Sequence, residues 1–167
     1  MPLSKKDQQH LQASVGYTQL GMNAEALQEL DLVSGPERTS VEVLSLELAI
    51  LHQSNQWTES MKVAGRMVEL DPENPDWHIA YAFATRRARS LDQARSILAH
   101  ALALFPANAL IHYNLGCYAA QLGELDQSCS LIEEAFRMDR KFRKIAQTDP
   151  DLEPVRHLFK KNVLSKK

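Results

Sequence analysis

Six histidines, two cysteines and several adjacent carboxylates are the side chains of this 167-residue chain that could do chemistry. His10, His52, His78, His100, His112 and His157 could act as bases or metal ligands, and Cys117 and Cys129 as nucleophiles or soft ligands. Their spacing argues against those roles. A metal site draws its ligands from one helical face or from converging neighbours, yet no Cys, Asp or Glu stands three or four residues from both His78 and His112. Cys117 and Cys129 lack the close CxxC spacing of a redox or zinc pair and read as small buried hydrophobes. Glu133 and Glu134 are consecutive, so on a helix they diverge and make a poor general acid and base. The chain also has no Gly-rich phosphate loop, nucleophile elbow or HExxH helix. These patterns favour binding over catalysis, with no metal and no cofactor expected; an enzyme or metal protein on a helical scaffold is kept only as an alternative.

The elements that position these residues follow from composition and periodicity. With 44% hydrophobic and 24% charged residues the chain has the balance of one ordinary globular domain. A net charge of -2 supplies no basic field, so a general nucleic-acid binder is not expected. The charge is nevertheless uneven: five basic against twelve acidic residues over 1–85, four against five over 86–136, and ten against four over 137–167. The basic end reads as a solvated helix terminus with a disordered tail over 161–167. An acidic partner, or head-to-tail contact with the acidic N-terminal half, is the alternative. Residues 96–123 contain no Asp, Glu, Lys or Arg, but His100, Pro106, Asn108, His112 and Asn114 interrupt them. They read as two buried helices, and no membrane partner is expected. Two cysteines and first residues without a cationic, apolar leader suggest a cytoplasmic protein.

Self-similarity organises the chain. Asp71-Pro72 and Phe105-Pro106 lie 34 residues apart, and each closes an apolar, helix-periodic run. Repeats then begin at Asp7, Val41, Pro75 and Ala109, spanning 7–40, 41–74, 75–108 and 109–142. Each has two helical runs separated by a break at Gly21, Asn55, Arg89 or Gly123, and Gly and Asn tolerate the left-handed conformation that ends helices. Five residues after each break stand Ala26, Ser60, Ala94 and Ser128, all small enough for close approach of a partner helix. His10, His78 and His112 are each the fourth residue of a repeat, which makes them a packing signal.

This pattern resembles the tetratricopeptide repeat family, whose units are 34-residue helix-turn-helix pairs. Asn114-Leu115-Gly116, Gly123, Leu125, Asp126 and Ala135 in the fourth repeat look most like its signature, and the resemblance covers residues 7–140. The first repeat departs most, because Ser34-Gly35-Pro36 should stop its second helix early, while in the second repeat Leu48 is bulky where the family has a small residue. The fold expected is an all-α, right-handed solenoid of antiparallel helix pairs in a single domain over 1–160. A capping helix at about 149–160 should close the stack, with Asp149 as N-cap and Pro150 in its first turn.

The first helices of such a stack line a concave face, so the resemblance implies a protein or peptide partner held there. Leu11, Val15, Leu46, Ala49, His52, Ile79, Phe83, Arg86, Tyr113, Asn114 and Cys117 are the expected partner-binding residues. Family members that clamp a carboxylate use Lys and Asn where this chain has Leu11, Val15 and Asp76, so an apolar peptide or amphipathic helix is the better expectation. Phe83 and Tyr113 would be the anchors, with Arg86 or Arg87 orienting an acidic flank. A self-associating protein, such as a homodimer, or one of secretion-chaperone type, is the alternative.

Overall fold

The computed structural model describes residues 4–159. The segment 161–167, expected to be a disordered tail, lies outside them. Among the described residues the chain is all α with no strand, and it divides into two compact units, 1–90 and 91–167.

The first unit contains α1 (Lys5–Gln19), α2 (Asn23–Asp31), α3 (Val41–Gln53), α4 (Trp57–Leu70) and α5 (Pro75–Ala88). Sequential helices α1 and α2, α3 and α4, and α4 and α5 pack against one another. Their limits have local causes. Ser4 caps α1 by accepting from the Asp7 N–H at 3.1 Å, Ser40 caps α3 through the Val43 N–H, and Asn74 caps α5 through the Asp76 N–H at 3.0 Å. Gly21 and Asn55 end α1 and α3 in the left-handed region, at φ 73° and 55°. Ala26, Leu30, Val33, Val43 and Ile50 form the core where α2 meets α3, with Leu11, Tyr17, Leu27 and Leu46 packed around it.

The early stop of α2 is compensated by side chains. After Asp31 the chain turns through a 3-10 segment, Gly35–Thr39. From it Arg38 reaches both Glu47 of α3, at 2.6 Å, and Asp31 of α2, at 3.1 Å. Asp7 is buried and accepts from the Ser4 hydroxyl and from the N–H and hydroxyl of Ser34, which ties the start of α1 to the start of this turn. The Ser4 hydrogen bond, followed by the Ser34 N–H, holds the Asp7 carboxyl below the usual carboxylate range.

The second unit contains α6 (Leu91–Leu104), α7 (Ala109–Gln121) and α8 (Leu125–Met138), with α7 packed on both neighbours. Asn108 caps α7 through the Leu110 and Ile111 N–H groups, and Gly123 at φ 80° makes the turn into α8. At Gly116 α7 and α8 approach closely: a Cβ there would stand 2.6 Å from Ile132 Cγ1, and the Ser128 hydroxyl donates to the Gly116 carbonyl at 2.7 Å. The four small residues after the breaks, Ala26, Ser60, Ala94 and Ser128, are all fully buried.

Two details recur at 34 residues. Caps Ser40, Asn74 and Asn108 precede helices that start at Val41, Pro75 and Ala109. The His78 and His112 Nε2–H groups donate to the carbonyls of Pro72 and Pro106, both at 2.9 Å, so each imidazole clasps the turn before its own helix. Arg89 differs from the other breaks, with φ -134° in place of a left-handed turn.

In place of one continuous helix over 149–160, the chain forms α9 (Lys141–Ile145), a 3-10 turn Pro150–Leu152, and α10 (Arg156–Phe159). Asp149 does cap the 3-10 turn, accepting from the Asp151 N–H at 3.0 Å, but Pro154 five residues after it cannot donate a helical hydrogen bond and divides the segment. Phe142, Ala146, Leu152, Val155 and Phe159 are nonetheless buried, as a capping segment requires.

Candidate functional site

The sequence-expected partner residues fall into two environments. In the first unit, Gln8, Leu11, Gln12 and Val15 share one face of α1 through their i, i+3, i+4, i+7 spacing. With Glu42 at the start of α3 they line an open hollow of about 420 Å³. Val15 is 40% exposed, and among the described residues no basic side chain lines this hollow. Leu11 and Leu46 are half-buried on the core beneath, Ala49 is exposed on α3, and Ile79 and Arg86 are half-buried on α5.

His52 and Phe83 meet elsewhere on the same unit. The His52 ring at the end of α3, Trp57 at the start of α4 and Phe83 on α5 form a triangle with centroids 5.4 to 5.8 Å apart. The Arg87 guanidinium lies over it, 3.6 Å from the Phe83 centroid and 4.9 Å from that of Trp57. Burial and then the Arg87 charge lower the His52 pKa below the ordinary histidine value, so the imidazole belongs to the neutral, apolar side of this cluster. Phe83 remains 37% exposed. A second hollow, of about 360 Å³, lies beside Trp57, Glu59 and Arg87. Such surfaces offer flat aromatic faces, an aliphatic edge and one cation.

Tyr113 and Cys117, in the second unit, are covered by their own chain. Tyr113 stacks on Phe142 at 4.7 Å, and its hydroxyl donates to Asp149 Oδ2 at 2.8 Å. Cys117 Sγ lies 3.8 Å from the same oxygen, and Gln121 donates to the Asp151 carbonyl at 2.9 Å. Burial, then the hydrogen bond to Asp149, drives the Tyr113 pKa far above the ordinary phenol range. Both residues are less than 5% exposed, while Asn114 beside them is half-buried.

Sequence reasoning missed Gln8, Gln12, Glu42 and Trp57. The helical spacing of Gln8 and Gln12 with Leu11 and Val15 was the available signal. Trp57 stands five residues from His52 across the Asn55 turn, which a left-handed residue makes tight.

Among the described residues no group of three or more His, Cys, Asp and Glu side chains is placed to hold a metal ion. No described helix is long and apolar enough to cross a membrane. No family model matches the chain, and no curated protein matches its sequence. Solved structures do match in shape. A MamA fragment from Desulfovibrio magneticus RS-1 superposes with a TM-score of 0.72 at 19% identity, over 87% of this chain and 82% of that one. A thermophilic TPR protein of Thermus thermophilus gives 0.63 at 19% identity, over 89% and 86%. YrrB, described as a TPR protein with an unusual peptide-binding site, gives 0.66 at 18% identity, over 83% and 72%. At these identities the likeness is one of fold, and that fold is the tetratricopeptide type built from antiparallel helix pairs.

Proposed function

We propose that this chain is a non-catalytic interaction module that takes a peptide or amphipathic helix on the apolar face of its first unit. The repeat frame 7–40, 41–74, 75–108 and 109–142 belongs to the same proposal. The face comprises Leu11, Val15, Leu46, Ala49, His52, Ile79, Phe83 and Arg86, joined by Trp57 and Arg87. Tyr113 and Cys117 are left out because residues 141–159 already cover them. The observation that carries this reading is the presence in one unit of an open aliphatic hollow at Val15 and a ring cluster presenting Phe83. Fully burying a large apolar side chain contributes about 1.5–3 kcal/mol, and Val15 and Phe83, at 40% and 37% exposure, keep part of that for a ligand. The peptide-binding site named for YrrB supports a scaffold of this kind as a peptide receptor.

The test is affinity capture from a lysate of the source cell, with the parent chain and a Val15→Glu/Phe83→Glu variant as baits. Circular dichroism first establishes that both are equally helical. Proteins retained by the parent and lost with the variant are the expected result. An identical retained set refutes the face as the working surface.

A further inference from the structure

We propose that the hollow on α1 and α3 receives the segment 160–167 of a second copy of this chain, so that copies associate head to tail. This rests on the reading of the first unit's face as a receptor and names one occupant for it. The hollow is apolar at Leu11 and Val15, polar at Gln8 and Gln12, and acidic at Glu42, with no cation among the described residues that line it. It belongs to a stretch, residues 1–85, that carries twelve acidic and five basic side chains. The segment 160–167 reads Lys-Lys-Asn-Val-Leu-Ser-Lys-Lys: an apolar pair, Val163-Leu164, between two pairs of lysines and without a carboxylate side chain. The apolar pair therefore matches Leu11 and Val15 in kind, and the lysines match Glu42 in sign.

Length is compatible as well. Eight extended residues reach roughly 28 Å, and packed helix axes stand roughly 9 Å apart, so the apolar pair can lie between α1 and α3 with lysines beyond either edge. The residue before the segment, Phe159, is buried against Phe136 with centroids 6.0 Å apart, which gives the segment a fixed root in the second unit. Receptor and ligand then belong to different units of each copy, so the contact is heterologous and each copy can both donate and accept.

Sedimentation velocity of the full chain tests this across a wide range of protein concentration, at low and at high salt. The parent should associate as concentration rises, and less so in high salt. Reversing the tail with Lys160→Glu, Lys161→Glu, Lys166→Glu and Lys167→Glu should weaken association at least tenfold. Val15→Glu, or Glu42→Lys, should do the same from the receptor side. Mixing the tail-reversed chain with the Val15→Glu chain leaves one good receptor and one good segment, so the mixture should give a 1:1 dimer that grows no further. A parent that is monomeric at every concentration overturns the proposal, which covers the case of a segment folded back on its own chain. Association indifferent to the tail reversal also overturns it. If the parent stays monomeric while affinity capture still loses a partner with Val15→Glu/Phe83→Glu, this inference fails and the receptor reading stands.

Discussion

On α1 the apolar side chains Leu11 and Val15 border an open hollow, whereas on α7 Tyr113 and Cys117 lie beneath residues 141–159. Each is the first helix of a pair, and each carries apolar residues at corresponding repeat positions. The difference comes from the segments that succeed each helix pair. After α8 the chain supplies Phe142, which stacks on Tyr113 of α7, the 3-10 turn that packs on α7, and Val155 and Phe159, which are buried, Phe159 against Phe136 of α8. In the first unit Ser34-Gly35-Pro36 shortens α2, and Arg38 and Asp7 fasten the turn with ion pairs and hydrogen bonds that leave the outer face of α1 open. In the proposed reading, an apolar residue on a first helix serves binding only where the chain's own segments leave it uncovered.

Two glycines give the sharpest contrast. Gly116→Leu drives a side chain into Ile132 and should destabilise the full chain by about 3 kcal/mol in urea denaturation. A midpoint equal to the parent's would mean that α7 and α8 are not in contact there. The cover on α7 comes next. Asp149→Ala removes the cap on the 3-10 turn and the acceptor of the Tyr113 hydroxyl, for an expected loss of about 2 kcal/mol. Near-UV circular dichroism should also lose its Tyr113 contribution, and an unchanged spectrum would separate Tyr113 from the cover. Gly16, by contrast, sits inside α1 with nothing near where a Cβ would go. Gly16→Ala should raise stability by about 0.5–1 kcal/mol, because alanine is the better helix former. Destabilisation would show that something covers α1 at this point.

The smallest effect is at His52, where burial and the Arg87 charge both disfavour the imidazolium. NMR titration should place its midpoint below the ordinary histidine value of about 6.5, and Arg87→Gln should move it back upward. The depressed folded-state pKa means that His52 contributes full stability above about pH 6.5. That contribution is lost as pH falls through the folded-state value. An ordinary midpoint unaffected by Arg87→Gln would dissolve the ring cluster.

Much of the fold was legible because its signals are local. Caps at Ser40, Asn74 and Asn108, left-handed turns at Gly21, Asn55 and Gly123, and the small residues Ala26, Ser60, Ala94 and Ser128 act within one helix pair and need nothing distant. The recurrence of His78 and His112 was legible, although its form, an N–H to the carbonyl of Pro72 or Pro106, needed coordinates, and His10 departs from it by meeting Glu29 at 2.7 Å. The candidate site was less so. Nothing near Tyr113 in the sequence signals a pairing with Asp149, 36 residues away, since that pairing depends on where an irregular segment lands. Trp57 joins His52 and Phe83 from three different helices, an association that periodicity within one helix cannot express.

The contrast between an open α1 and a covered α7 is tested most directly by thiol labelling under native conditions, resolved by site with mass spectrometry. Cys117 is the natural reporter beneath the cover, and Val15→Cys places a second thiol at the hollow. The thiol at position 15 should react as fast as an exposed one, while Cys117 stays protected until the chain is unfolded. Equal rates at the two positions would contradict the difference between the units on which the proposed receptor face depends.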